Sequence, residues 1–345
     1  MERHDKDLAF MLRYENIAWY EDGKVKILDR RVYPIKVEFV ICENHKEVAK
    51  AIKDMVTQSG GPYMAAGMGM ALAAYEVKDR SKVEIMNYLK EAAYTLSHAR
   101  PTTAKRMELI VNECLKVAEK AIESGGKIDE AIFNHTLQTV NERYKRTDKI
   151  AKSLVEQFPD EGCIMTQCFA ESVVGLMLRQ AKIKGKNIKL ICPETRPYFQ
   201  GARLTASVAY EQGFDVTIIT DNMPAYVMKK KGVSLFTSAA DVISLDGYVV
   251  NKIGTFQIAM AAHYYGIPYF VTGTPDKGVE KVSSVEIEER DGNYVLEVLG
   301  RRIAMDGVKG YYPLFDITPP EFVSGVVTDK GIYSPYDLKN YYRED

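Results

Sequence analysis

Hydrophobic positions change their period twice along the chain. Within the first 40 or so residues, IAWYEDGKVKILDRR sets an Asp-Gly step between two strand-like runs, which predicts a β-hairpin. From about residue 46 to 157 apolar residues recur at helical spacing. HKEVAKAIKDMVTQ comes first, then the small-residue segment 62–77, then KVEIMNYLKEAAYTLSHA; TAKRMELIVNECLKVAEKAIESGG follows and ends on a Gly-Gly cap. DEAIFNHTLQTVNERYKRTDKIAKSLVEQF is long enough for a helix that connects two domains. Beyond Pro159 short apolar runs alternate with helical ones. GCIMTQC, IKLIC, DVTIIT, ADVISL and IPYFVTG read as strands, and 170–184, 200–212, 223–231 and 254–265 read as helices. That alternation predicts a parallel sheet with right-handed crossovers. Residues 283–300 read as a late hairpin around RDGN and the remainder as an irregular tail. The expected fold is α/β: an N-terminal β-hairpin plus helical domain over 1–150, then a Rossmann-like parallel-sheet domain over 151–345.

Composition removes several function classes. The 345 residues are 46% apolar and 27% charged, with a net charge of -1, so no basic excess points to nucleic acid. The longest apolar run, YMAAGMGMALAAYE, is interrupted by glycine and ends in charge, so it reads as a buried helix, and no membrane partner is expected. The charged start MERHDKDLAF has no apolar stretch behind it and gives no sign of a secretory leader. Five scattered cysteines without a CxxC pair suit reduced thiols in a cytoplasmic protein. The five histidines show no HxH or HExxH spacing, so no metal is expected, and the 193–206 junction lacks the glycine fingerprint of a dinucleotide or triphosphate site, so no cofactor is expected.

Ligands of such sheets bind beyond the carboxyl ends of the strands, and chemistry-bearing residues collect there. Cys168 ends the first strand and is expected to open the following helix, whose dipole would favour a thiolate; alternatively it is a buried thiol. Arg196, Gln200 and Arg203 in PETRPYFQGARLTA make either a phosphate clamp at a helix N-terminus or a salt-bridged turn. Asp221 or Asn222 suits a helix N-cap. Asp241 enters an apolar strand, where a carboxylate is costly unless bonded or functional with a raised pKa, and Asp246 ends that strand as a structural residue or one that supports the site from behind. Asn251 and Lys252, just ahead of a helix, make a second anion-friendly corner.

ETRPYFQGARLTA, ITDNMPA and NKIGT resemble signature segments of the methylthioribose-1-phosphate isomerase family. That family shares its fold with ribose-1,5-bisphosphate isomerases and the regulatory subunits of translation initiation factor 2B. LRYENIAWYEDGKVKILDRRVYP, ARPTTA and FDITPPEFVSGVVTDKGI extend the likeness over nearly the whole chain. The resemblance implies an isomerase that turns an aldose 1-phosphate into the ketose 1-phosphate by acid/base proton transfer, in methionine salvage. It implies Cys168 and Asp241 as catalytic residues, and Gly60, Gly61, Arg100, Gln200, Asn251 and Lys252 as substrate-binding residues. It also implies a sugar-phosphate ligand and a homodimer. The alternative is a regulatory protein that senses a sugar phosphate or nucleotide without turning it over. Three positions depart from the family pattern and bear on the substrate. Ser59 stands where an arginine is usual, Cys168 runs into FAESVVGLMLRQ without a glycine-rich loop, and Tyr248 replaces an aspartate.

Overall fold

The computed structural model describes residues 2–100 and 104–343. The chain divides within its longest helix into two compact units, Met1–Lys145 and Arg146–Asp345.

The N-terminal unit begins with a short helix, α1 (Tyr14–Ile17), and a three-stranded antiparallel sheet of β1 (Ala18–Glu21), β2 (Lys24–Leu28) and β3 (Phe39–Cys42). The expected hairpin is β1–β2. Asp22 and Gly23 both take positive φ, 50° and 72°, as the turn between twisted strands requires. β3 is an additional strand. Four helices follow, α2 (His45–Lys53), α3 (Gly61–Glu76), α4 (Lys82–Ser97) and α5 (Ala104–Ser124), and then α6 (Ile128–Val155). α3 is apolar on every side and nearly wholly buried. Its glycines let neighbours approach: a Cβ on Gly67 would stand 2.6 Å from Thr136, and one on Gly69 3.0 Å from Leu96.

The C-terminal unit alternates strand and helix: β4 (Glu161–Met165), α7 (Ser172–Ile183), β5 (Asn187–Pro193), α8 (Ala206–Glu211), β6 (Asp215–Ile219), α9 (Pro224–Lys231) and β7 (Val233–Ala239). β8 (Val242–Ile243) and β9 (Val249–Lys252) lead into α10 (Thr255–Tyr264) and β10 (Tyr269–Thr272). Short elements complete the chain: β11 (Glu289–Arg290), α11 (Asn293–Leu296), β12 (Glu297–Val298), β13 (Arg301–Arg302), β14 (Tyr312–Pro313), β15 (Phe315–Thr318), β16 (Gly325–Thr328) and β17 (Gly331–Tyr333). The main sheet has the order β17-β16-β10-β7-β4-β5-β6, parallel except for the β16–β17 pair. Its core joins Met165, Ile191, Phe236, Ile258, Tyr269, Val271 and Val326, with the Phe236 and Tyr269 rings stacked at 4.3 Å. Burying each such side chain stabilises the unit by about 2 kcal/mol.

Three expectations are corrected here. The strand after α9 is VSLFTSA, not ADVISL: Val233–Ala239 enters the sheet, and Val242–Ile243 pairs instead with β9 in a small antiparallel sheet with β15. Val233, Phe236 and Thr237 suit a strand, but the run follows α9 after a single residue, Gly232, which hides it behind the helical pattern of 223–231. The late hairpin turns at Leu299–Gly300, both at positive φ, while RDGN leads into α11. The tail is regular, since β16 and β17 extend the main sheet.

Candidate active site

From β4 the chain steps through β5 to β6 and then returns to β7 on the other side of β4. The sheet therefore reverses its winding between β4 and β7, and a crevice opens beyond the carboxyl ends of strands at such a switch point. Cys168 follows β4 and Asp241 follows β7.

Cys168 does not open α7, whose N-cap is Glu171; it sits in the intervening turn at φ 58°. Its backbone is held from the next loop. The Cys168 N–H donates to Thr195 Oγ1 at 3.2 Å, and Thr205 Oγ1 donates to the Cys168 carbonyl. Thr195, Phe199 and Glu171 also take positive φ, so four non-glycine residues behind β4 and β5 are held in a costly conformation. Burial pushes the Cys168 thiol up to about 11, Lys252 pulls it down, and Asp241 and Asp221 push it further up. Cys168 thus lies close enough to Lys252, Asp241 and Asp221 to feel their charges.

Asp241 is not embedded in an apolar strand. It is exposed in the bend between β7 and β8, with its N–H donated to the Val250 carbonyl at 2.9 Å. The cost of a buried carboxylate therefore does not arise there. Asp246, by contrast, is structural: it accepts from the Ser244 hydroxyl and the Val282 N–H.

The corner 193–205 is made by β5, a cis Arg196–Pro197 bond and a π-helical turn, Gly201–Thr205, ahead of α8. Gly201 is obligatory, because a Cβ would stand 1.8 Å from the Pro193 carbonyl oxygen. Both arginines are consumed in holding the corner. Arg196 donates to the Val295 and Glu297 carbonyls, and Arg203 to the Tyr198 carbonyl. Asp221 does not cap α9, whose N-cap is Met223; its carboxylate accepts the Thr195 and Arg196 N–H groups at 2.8 and 2.7 Å. Asn222 accepts from the Thr220 hydroxyl. Gln200 is 6% exposed and its Oε1 has no partner among the described residues.

Asn251 and Lys252 end β9. The Asn251 amide donates to Thr255 Oγ1 at 3.1 Å. Lys252 is 5% exposed, and the one hydrogen-bond partner of its ammonium among the described residues is the Tyr312 hydroxyl, at a loose 3.4 Å. Its ammonium lies 5.7 and 5.5 Å from the centres of the Tyr312 and Phe315 rings. Burial lowers its pKa, while Cys168 and Asp241 oppose that shift. Asp316, on the partner strand of β9, accepts the Gly254 and Phe256 N–H groups at the start of α10. Burial lifts its carboxyl to about 6 against those bonds.

Gly60, Gly61 and Arg100 belong to the N-terminal unit. Gly60 caps α3 and its carbonyl accepts from Arg143. A Cβ on Gly61 would collide with Thr57 Oγ1 at 1.9 Å and approach the buried Arg30 guanidinium at 3.3 Å. Arg100 is half-buried, and the Pro-Thr-Thr that follows it lies outside the described residues. The sequence reading missed Tyr312, Asp316, Thr195 and Gln167. Thr195 in PETRPYFQGARLTA, Gln167 in GCIMTQC and Asp316 in FDITPP all lie inside segments quoted above, but their contacts, like those of Tyr312, depend on packing that no local pattern announces.

The arrangement provides a thiol, a carboxylate, a nearly dehydrated ammonium and amide groups at one switch point. Such a set can move protons and hold an anion. Similarity to known proteins points the same way. The initiation factor 2 subunit family matches residues 58–335. A methylthioribose-1-phosphate isomerase of Fervidobacterium nodosum is 33% identical, over 96% of this chain and 99% of its own. The crystal structure of 5-methylthioribose 1-phosphate isomerase from Pyrococcus horikoshii superposes with a TM-score of 0.83 at 30% identity, covering 96% of this chain and 97% of that one. The translation initiation factor eIF-2B subunit delta from A. fulgidus gives 0.79 at 32%, covering 93% and 96%. This chain belongs to the initiation factor 2 subunit family, whose members similar to it over nearly their full length include methylthioribose-1-phosphate isomerases.

Proposed function

We propose that the protein is an aldose–ketose isomerase that converts 5-methylthioribose 1-phosphate, or a 5-deoxypentose 1-phosphate, to the ketose 1-phosphate, as in methionine salvage. The observation that carries this reading is the mutual electrostatic influence of Cys168, Asp241 and Lys252 at the β4/β7 switch point. The isomerase names of its relatives support it.

The anomeric oxygen of the substrate carries phosphate, so opening the ring cannot release a free aldehyde. Opening breaks the bond between C1 and the ring oxygen, which takes up a proton while C2 loses its own. The enol formed then takes a proton at C1 and loses the C2 hydroxyl proton, leaving the C2 carbonyl. Two protons leave and two arrive, so the redox balance closes without a cofactor. We assign the C2 proton to the Cys168 thiolate and the ring oxygen to Asp241 as acid. Lys252 holds the phosphate, with Asn251 and Gln200 on the sugar. Lys252 also favours the thiolate that burial disfavours. Gly60, Gly61 and Arg100 keep the substrate-binding role implied by the resemblance as part of this proposal, tested through the KM of Arg100→Met.

Purified protein incubated with 5-methylthioribose 1-phosphate, 5-deoxyribose 1-phosphate and ribose 1,5-bisphosphate should form ketose from at least one. No turnover on any of them refutes the reading. Similarity to the A. fulgidus subunit favours one second reading, a sensor, which the same assay separates as binding without turnover. We further propose a homodimer, supported by exposed Ile218, Met223, Tyr226, Met260 and Tyr264 on β6, α10 and around α9; light scattering gives its mass. Five free cysteines support a reducing, cytoplasmic setting, and no helix among the described residues is long and apolar enough to cross a membrane.

A further inference from the structure

We propose that Gln167, the residue before Cys168, is a substrate-binding residue whose side-chain oxygen accepts a hydroxyl of the sugar's C2–C3 diol. The inference rests on the isomerase reading for the identity of the ligand, and on the following geometry for the existence of the contact.

Gln167 is 4% exposed, and its amide has one partner: Nε2 donates to the Ile253 carbonyl at 3.1 Å. That bond fixes which end of the amide is which. Turning it over would set Oε1 against a carbonyl oxygen, two acceptors facing each other. Oε1 is therefore held away from Ile253, and it is buried without a partner among the described residues. An amide oxygen stripped of water and left unbonded costs free energy, and buried polar atoms in folded proteins are almost always satisfied. The missing group must be a donor, because Oε1 can only accept. An alcohol is such a donor, whereas an unprotonated phosphate is not.

The position of the amide narrows the donor further. Ile253 lies directly after Lys252, and Gln167 directly before Cys168, so the amide bridges the loops that carry the proposed phosphate ligand and the proposed base. Gly254, at φ 97°, belongs to this arrangement. A Cβ there would stand 3.2 Å from Gln167 Nε2, tighter than ordinary contact, so glycine keeps the place where the amide docks. Gln200 presents a second buried, unpartnered Oε1 from the neighbouring loop. Two acceptors at the ends of adjacent parallel strands suit two neighbouring hydroxyls. Between an anion held by Lys252 and a carbon deprotonated by Cys168, the neighbouring hydroxyls are those on C2 and C3.

Calorimetric titration tests this, using 5-methylthioribose 1-phosphate, its 2-deoxy and 3-deoxy analogues, and inorganic phosphate as ligands. To the unaltered protein, one deoxy analogue should bind about 5–15-fold more weakly than the parent sugar, the effect of leaving one buried acceptor unmet. Gln167→Met should bind the parent sugar with the same loss and no longer distinguish that analogue from it. Its affinity for inorganic phosphate should stay within about twofold. If the unaltered protein binds all three sugars alike, or if Gln167→Met still discriminates, the inference is overturned. It is also overturned if phosphate binding falls in step with sugar binding, which marks a purely structural role. The first comparison needs no variant, so a misfolded Gln167→Met does not rescue the idea. Where the parent sugar is turned over, the same ratios are read in a Cys168→Ser background that does not consume it; selective binding by a protein that isomerises nothing would refute the isomerase reading and leave the Gln167 contact standing.

Discussion

Gly201→Ala probes the corner behind β5 with a single methyl group. The added Cβ would lie 1.8 Å from the Pro193 carbonyl oxygen and 2.9 Å from Thr195 Oγ1, where ordinary contact begins near 3.4 Å. The carbonyl must therefore retreat by about 1.6 Å (3.4 less 1.8). It cannot do so alone. It ends a strand of the parallel sheet and also accepts from Thr195 Oγ1, whose oxygen in turn receives the Cys168 N–H. A backbone clash of this size in a packed element costs about 4 kcal/mol, at the upper end of single substitutions. For a unit of this size that corresponds to a fall in Tm of roughly 8–16 °C. The assay is thermal unfolding followed by circular dichroism, with Gly278→Ala as control, because nothing lies within 4 Å of a Cβ there and its φ is ordinary. Any folded fraction of Gly201→Ala should show a lowered kcat/KM, since Thr195 and Gln200 flank the displaced atoms. A Tm within about 2 °C of the control would falsify the claim that this close approach builds the corner.

Cys168→Ser should reduce kcat at least about 10³-fold while leaving Tm nearly unchanged, since oxygen replaces sulfur in the same turn; retained turnover removes Cys168 from the chemistry. With the thiol near 11, only about one site in 10⁴ holds a thiolate at pH 7, so the rate of Cys168 alkylation by iodoacetamide should rise about tenfold per pH unit across the neutral range. Lys252→Met, which removes the cation favouring the thiolate, should move that limb to higher pH, and an unmoved limb refutes the pairing. Asp316 titrates near 6 in the fold, above its unfolded value near 4, so the folded state binds its proton more tightly. The stability this contributes is complete below about pH 4 and is lost as pH rises through 6. The Tm of Asp316→Asn relative to the unaltered protein should therefore increase from pH 4 to 6.5, and a difference independent of pH contradicts the assignment.

What could be read in the sequence depended on how local its cause was. The Asp-Gly hairpin, the all-apolar α3 and the alternation after Pro159 are dictated by neighbours a few residues away, and they stand where the pattern put them. The strand Val233–Ala239 is masked in the sequence because its apolar run directly follows α9, without the intervening loop that separates most strands from helices. ADVISL was read in its place. Its alternation is that of a strand, but it forms a two-residue strand of a different sheet. At the site, residue types at strand ends were legible for Cys168, Gln200, Asn251 and Lys252. The environments were not. Nothing local says that Asp241 is exposed, that Asp221 reaches sideways to the Thr195 backbone instead of capping its own helix, or that Arg196 is spent on carbonyls a hundred residues away. Those facts depend on which strands lie side by side, and the order β10-β7-β4-β5-β6 is a property of the whole sheet.

The aromatic frame around Lys252 has a thermodynamic consequence. Folding strips the ammonium of most of its water and gives back one loose bond to a phenol and two ring faces. The dehydration that an exposed lysine would undergo when it met an anion has been completed beforehand. A dianionic ligand then has to shed only its own hydration, and its attraction acts in a medium that screens poorly. The same preparation leaves the empty protein less stable than its core would allow, because a nearly bare cation has been stored in it. Occupancy and foldedness are therefore linked quantities: each decade of ligand concentration above Kd adds about 1.4 kcal/mol to the folded state. Cells depleted of the ligand would hold a shorter-lived protein.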